Sequence, residues 1–466
     1  MLEGFGGQWW FRKAFGGGNV ALKRENARIC EAEWRKIQTF SPSLQSLASG
    51  AAGGGRCLRG GMHSEGIRFI PLFYLPQITF MTQTKERDSN LDFLRIMAFL
   101  LLVCCHAADP FNASATYGAG EADPHFAFWG AIWGSMVRSC VPLFVMLSGA
   151  LLLPRPGDTK PMEMKRFYAR RIPRVVWPFL IWSVAYYLTP WILGLLGGGA
   201  DSVLFFFPFA ENTDQSLAQA VSRIAVMPYN FSYLAGHMWY IYMLVGMYLY
   251  IPIFSAWVRS ATRGQKKFVL AMWLLASLLP YFSEYVSQYS FGTCDWNQFG
   301  LFYYFAGFNG YLLLGHYIYV YVAPRLNLGK GLLLAAIFAA GYAVTFFGFR
   351  YIQSLDSPTP QQTELFWTYN TPNVIMMSTV LFLLLRTVKP RGKKLCALLQ
   401  NFTLCGFGIY MLHYFFVGPA YGLSTLMGVP VALRIPVSAL IILFATWAVV
   451  AVLGRALGKW RRIVLG

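Results

Sequence analysis

Residues 91–109 read LDFLRIMAFLLLVCCHAAD, and the fold follows from them. Between Arg95 and His106 the run is wholly apolar, as expected of a helix that crosses a membrane. The two residues stand eleven positions apart. At about 100° per residue that spacing gives three turns plus roughly 20°, so both side chains point to one face. Along the axis they are separated by roughly 16 Å. Ionisable groups in a membrane interior are costly. A guanidinium near one surface and an imidazole past the midplane, on a shared stripe, therefore point to chemistry rather than to packing.

Composition extends this reading to the whole chain. Of 466 residues, 56% are hydrophobic and only 13% charged, with a mean hydropathy of +0.45. Soluble domains carry about 25% charged residues. The predicted fold class is all-α, a polytopic membrane protein, whose 15 Trp, 26 Tyr and 39 Phe suit aromatic belts at the bilayer interfaces. A net charge of +19 raises the question of nucleic acid. The cations, however, sit in short loops on one side, and no RNA- or DNA-binding motif accompanies them, so no nucleic-acid partner is expected. The eight Cys contain no CxxC pair. Cys104, Cys105, Cys140 and Cys405 lie in apolar segments and Cys294 in an outer loop, so neither a disulfide framework nor a metal site is expected.

Ten apolar spans are predicted near 91–109, 127–153, 173–195, 237–257, 268–286, 300–322, 331–349, 368–386, 397–419 and 434–454. Alternate loops sort by charge. Those at 154–174, 258–267, 323–330 and 386–396 hold eighteen Lys plus Arg and two acids. Those at 109–126, 196–236, 283–300, 350–368 and 419–434 hold three Lys plus Arg and ten acids. Positive charge stays in the cytoplasm, which predicts both termini inside and a multi-pass protein of the inner or plasma membrane. Residues 1–80 are basic and Gly-rich, without a clean secretory signal. They are expected to be a disordered or interfacial arm, or an upstream mis-start, because Met81 opens MTQTKERDSNLDFLR like a natural membrane-protein start. The membrane domain is then 81–466. No repeat is visible, and no matching pair of short broken helices of the kind found in inverted-repeat transporters is expected.

Few ionisable groups remain for the membrane interior. His106 is the candidate general base, since neutral imidazole serves that role near pH 7. Asp109, three residues on, shares roughly its face and can orient the ring. A lone membrane His is more simply a packed, satisfied one; the shared face with Arg95 favours function. Arg171 and Arg174 in ARRIPRVVWPF (169–179) stand i, i+3, two planar forks suited to phosphate oxygens, although positive-inside anchoring also explains basic residues there. Arg138 has no acid within any span, so it must reach carbonyls, water or a ligand. PLFVMLSG (142–149) brings small and kinking residues where backbones approach closely. His237 and Trp239 sit at an outer boundary, where interfacial anchoring explains the Trp. Tyr410 and His413 share a face in the ninth span, with core packing as the simpler explanation.

Together these residues resemble the acyltransferase 3 family of integral membrane acyltransferases, over nearly all of 88–455. Arg95 and His106 meet an Arg-x10-His pattern. VRSCVPLFVMLSGALLL (137–153) is similar to the family's second-span segment, and Arg171 and Arg174 to an Arg-x-x-Arg pattern. HMWYIYMLVGMYLYIP (237–252) and GIYMLH (408–413) are similar to two later ones. With FYYFAGFNGYLLLGH (302–316), HMWY carries a likeness to the enterobacterial common antigen O-acetyltransferase subgroup. Met97 and Ala98 depart from a Gly-Ile-like pair, and the loop 196–236 is long.

The resemblance implies transfer of an acetyl or other acyl group from cytoplasmic acetyl-CoA, a donor substrate and not a bound cofactor, to a hydroxyl of a surface glycan or lipid-linked saccharide. It casts His106 as base or transient acyl carrier and Arg95 as a helper at the inner mouth. Arg171 and Arg174 would hold CoA phosphates, joined by Arg138 in the cofactor-binding set. His237, Trp239, Tyr410 and His413 would meet the acceptor. The alternatives are a transporter or flippase for a lipid-linked glycan, with Arg138 on its pyrophosphate, and a non-catalytic scaffold, which leaves the in-membrane Arg and His unexplained.

Overall fold

The computed structural model describes residues 89–112, 124–197, 209, 212–286, 299–356 and 358–466. The expected arm at 1–80, the start at Met81 and Cys294 lie outside them. Among the described residues there is no strand. Helix α1 is Ser89–Ala107, α2 Pro124–Met136, α3 Cys140–Leu152, α4 Met164–Leu195 and α5 Leu217–Val226. Helix α6 is Trp239–Ser260, α7 Arg263–Ala276, α8 Leu279–Tyr285, α9 Asn309–Tyr321 and α10 Leu328–Gln353. Helix α11 is Pro360–Glu364, α12 Pro372–Leu385, α13 Lys393–Leu412, α14 Val417–Leu426, α15 Val431–Ala456 and α16 Arg461–Val464.

Among the described residues eight segments are long and apolar enough to cross a membrane, and they coincide with eight of the ten expected spans. The other two differ. The spans expected at 300–322 and 368–386 contain α9 and α12, of only 13 and 14 residues. At about 1.5 Å per residue each reaches roughly 20 Å, short of a hydrocarbon core of about 30 Å. The reason is local. Gly307 takes φ +88°, a left-handed turn just before α9. Pro372 sits in the first turn of α12 behind Thr371, a start signal that the preceding irregular chain cannot extend as helix. A pair of short helices, not expected from the sequence, is therefore present.

Three of the long spans are also interrupted. Val137–Ser139 form a turn between α2 and α3. A 3-10 segment, Tyr233–Met238, precedes α6 with a non-helical Ala235 (φ −126°, ψ 41°). A second one, His413–Phe416, separates α13 from α14. Irregular backbone is tolerated at membrane depth only where protein or a wet cavity satisfies its freed groups. The interruptions carry Arg138, His237 and His413.

The basic loops gather at one end of the bundle. Arg259 donates to the Lys160 carbonyl (2.9 Å), Arg155 to the Tyr319 hydroxyl (3.3 Å), and Arg386 to the Ile318 carbonyl. Asn90, at the start of α1, donates to the Arg386 carbonyl (3.3 Å), so α1 rises from this basic end. Helix α1 packs against α3, α13 and α15, which places it in the middle of the core. The tightest crossing is α3 on α9. A Cβ on Gly149 would stand 1.9 Å from the Leu312 carbonyl oxygen, and one on Gly315 2.1 Å from that of Met146. Only glycines permit that approach, as the PLFVMLSG segment led one to expect.

Candidate functional site

Helix α1 presents Arg95 and His106 to two different cavities. The first, about 490 Å³, lies toward the basic end and is lined by Arg95, Arg171, Ser148, Tyr248, Tyr240 and Tyr410 among others. The second, about 590 Å³, lies beyond it and is lined by His106, Asp109, Arg138, His237, Trp239 and the segment Thr363–Asn370 in part. The two share no lining residue. Between them stands a layer of aromatic rings. The rings of Phe144 and Tyr240 lie 6.3 Å apart, those of Tyr240 and Tyr410 5.6 Å, and those of Tyr410 and His237 5.7 Å. Phe144, Tyr240 and Tyr410 face the first cavity, His237 the second.

Each expected site residue has a definite place. Arg95 pairs with Asp92, Nη1 to Oδ1 at 3.4 Å, at the wall of the first cavity. Arg171 lines that cavity beside Tyr248. Arg174, one turn on, is exposed like Arg171 but does not line it. Arg138, grouped by sequence with the two cofactor arginines, stands instead in the second cavity with His106. Tyr410 faces the first cavity and His413 neither, so of the four expected acceptor contacts only His237 and Trp239 line the second.

His106 and Asp109 meet as their spacing requires, Nδ1 to Oδ2 at 2.9 Å. An ionised Asp only accepts, so Nδ1 carries a proton, and in the neutral ring Nε2 then keeps its lone pair. That is the tautomer a general base needs. Two further imidazoles surround it. The ring of His413 lies 5.1 Å from that of His106 and that of His237 6.4 Å from it. His413 Nδ1 donates to the Tyr410 carbonyl (2.7 Å), and the Tyr410 hydroxyl donates to the His237 carbonyl. These bonds tie two helix interruptions together. Both ring nitrogens of His237 and Nε2 of His413 are buried without a protein partner. Among the described residues no group of three or more His, Cys, Asp or Glu is arranged to hold a metal ion.

Sequence reasoning missed the segment before α12. Trp367, Tyr369 and Glu364 line the second cavity, and Trp367 carries Arg138 on its face, 3.9 Å from the ring centre. The Thr371–Pro372 start signal held the clue, since it leaves the residues before it irregular at membrane depth.

Residues 88–454 match the acyltransferase 3 family model, described as an acyltransferase domain. No curated protein matches the chain, and no solved structure does. The matched range holds the helices that build both cavities, and with it the dyad His106–Asp109 finds its setting: this chain belongs to the acyltransferase 3 family of membrane acyltransferases.

Proposed function

We propose that the protein is an O-acyltransferase that takes an acetyl or other acyl group from acyl-CoA on the cytoplasmic side and places it on a hydroxyl of a glycan or lipid-linked saccharide on the far side of an inner or plasma membrane. The observation that carries this reading is the division of α1. One helix holds a guanidinium in a cavity near the basic end and a His–Asp dyad in a second cavity beyond it. Arg171, with Arg95 behind it, suits the CoA phosphates, and the basic end is the cytoplasmic one by the distribution of Lys and Arg. The roughly 16 Å along α1 is comparable to an extended pantetheine arm. For the acyl end to arrive at His106 the Tyr240–Tyr410 partition must open.

The chemistry then balances on the chain's own groups. Nε2 of His106 takes the proton of the acceptor hydroxyl while Asp109 steadies the imidazolium. The oxygen attacks the thioester carbonyl, the C–O bond forms, the C–S bond breaks, and the departing CoA sulfur receives the proton from Nε2. The HMWY (237–240) and FYYFAGFNGYLLLGH (302–316) stretches favour a surface polysaccharide acceptor of the enterobacterial common antigen kind. Nothing in the site favours translocation without chemistry.

The test is acyl transfer from radiolabelled acetyl-CoA in membranes containing wild type, His106→Ala or Arg171→Ala. Transfer is expected in wild type only at full rate, with none from His106→Ala. Full activity in the His106 variant removes it as the base, and a comparison of surface glycans from a deletion strain and its parent identifies the acceptor.

A further inference from the structure

We infer that the second cavity takes an acidic saccharide: a sugar ring seated on the aromatic side chains there, with a carboxylate or phosphate held by Arg138. This rests on the acceptor side of the proposed function and names the acceptor's chemical class.

Arg138 is a cation fixed in place at membrane depth. It occupies the turn between α2 and α3, where its Nε donates to the Gly134 carbonyl at 2.8 Å. Its guanidinium carbon lies over the Trp367 ring, 3.9 Å from the centre. Trp367 is itself fixed, by donation to Ser135 Oγ (3.1 Å) and by stacking on Phe349 with ring centres 3.6 Å apart. Gly134 makes room for it, since a Cβ there would stand 2.7 Å from the indole. Two elements are thus shaped around one guanidinium. A guanidinium has five N–H donors. Only the Nε donor has an acceptor among the described residues, and no carboxylate there lies within 4.0 Å of the group. Of the two acids that line the same cavity, Asp109 is bonded to His106. Glu364 is exposed. Four preset N–H groups on a planar fork match a carboxylate or phosphate in two-point fashion, and an ion so placed is costly unless a ligand meets it.

A stacking surface adjoins the cation. Trp239 and Tyr369 are stacked at 5.6 Å and 23°, and Phe308 lies 6.0 Å from Trp239 and 6.2 Å from Tyr369. All three line the second cavity. Broad apolar faces with a few fixed polar groups are the usual make-up of a site that orients a small ring.

The experiment uses the full chain in nanodiscs and three probes: octyl glucoside, octyl glucuronide and octyl glucoside phosphate. Binding is measured by calorimetry, with transfer from radiolabelled acetyl-CoA followed in the same preparations. At least one acidic glycoside is expected to bind about tenfold or more tightly than octyl glucoside, the scale of a charged hydrogen-bond pair. Which of the two does so identifies carboxylate or phosphate. Arg138→Gln is expected to erase the preference and Arg138→Lys, which keeps charge but not the fork, to restore part of it. Size-exclusion profiles and the residual binding of octyl glucoside report that the variants are folded. The inference is overturned if neither acidic glycoside binds better than the neutral one, or if the preference survives in Arg138→Gln. Equal binding of all three probes, with transfer lost to every acceptor in the variant, likewise overturns it in favour of a role at the reacting carbonyl. An anion preference without His106-dependent transfer counts against the donor reading and leaves this one standing.

Discussion

Nδ1 of His106 and Oδ2 of Asp109 stand 2.9 Å apart at the far end of α1, facing a cavity that Arg95 on the same helix does not reach. On the proposed function, this one helix would separate the donor half of the transfer reaction from the acceptor half. In Asp109→Asn an amide N–H can face Nδ1 and select the wrong tautomer. The expected result is a fall in kcat of about 10²–10⁴, with KM for acyl-CoA little changed. Steady-state kinetics of the purified variant check this; an unchanged kcat removes Asp109 as the orienting group.

Arg171 and Arg174 differ although they share a face. Both are exposed, but only Arg171 lines the first cavity. Arg171→Ala is expected to raise KM for acyl-CoA by about tenfold, the weight of a charge-assisted phosphate bond. Arg174→Ala, a solvated rim charge, should change it by much less. Equal effects would show that both forks grip the donor.

The partition yields a third expectation. Tyr240→Ala removes one ring of the layer between the cavities, next to Tyr410 and Phe144. Water from the second cavity then meets the thioester, since a closed site is what protects a reactive group from hydrolysis. Acceptor-independent release of CoA thiol should rise above the wild-type rate. No rise in that assay means that the rings do not separate the cavities in solution.

Packing at the α3–α9 crossing leaves no room for a side chain. Gly315→Val places its Cβ against the Met146 carbonyl, where 2.1 Å is available, and should cost at least about 1–3 kcal/mol by overpacking. A lower Tm in detergent is the readout. The exposed Gly329, whose Cβ would meet nothing within 4 Å, is the control position for which Gly→Ala leaves Tm nearly unchanged.

Much of the site was legible because it follows from spacing along one element. Arg95 and His106 share a stripe of α1, and Asp109 meets His106, because helical periodicity alone puts i, i+3 and i, i+11 on one face. The pairing of Arg138 with Trp367 was not legible. These residues lie far apart in the chain, and no local pattern states which helix faces which. That Arg138 lines a different cavity from Arg95 and Arg171 was not legible for the same reason: hydropathy shows that a cation is inside a span, not which cavity that depth opens into.

The fold divides along the same line. Apolar length predicts ten spans, eight of which are full length among the described residues, and the sorting of charge among loops predicts the end of the bundle where the cations collect, because both are properties of single segments against a bilayer. The turn at Arg138, the interruptions at His237 and His413 and the short α9 and α12 belong to the tertiary structure. An apolar run reads the same whether its helix is continuous or broken. Only the surrounding helices, by supplying partners for backbone groups that lipid cannot satisfy, decide where a break is tolerable and so where the reaction chamber lies.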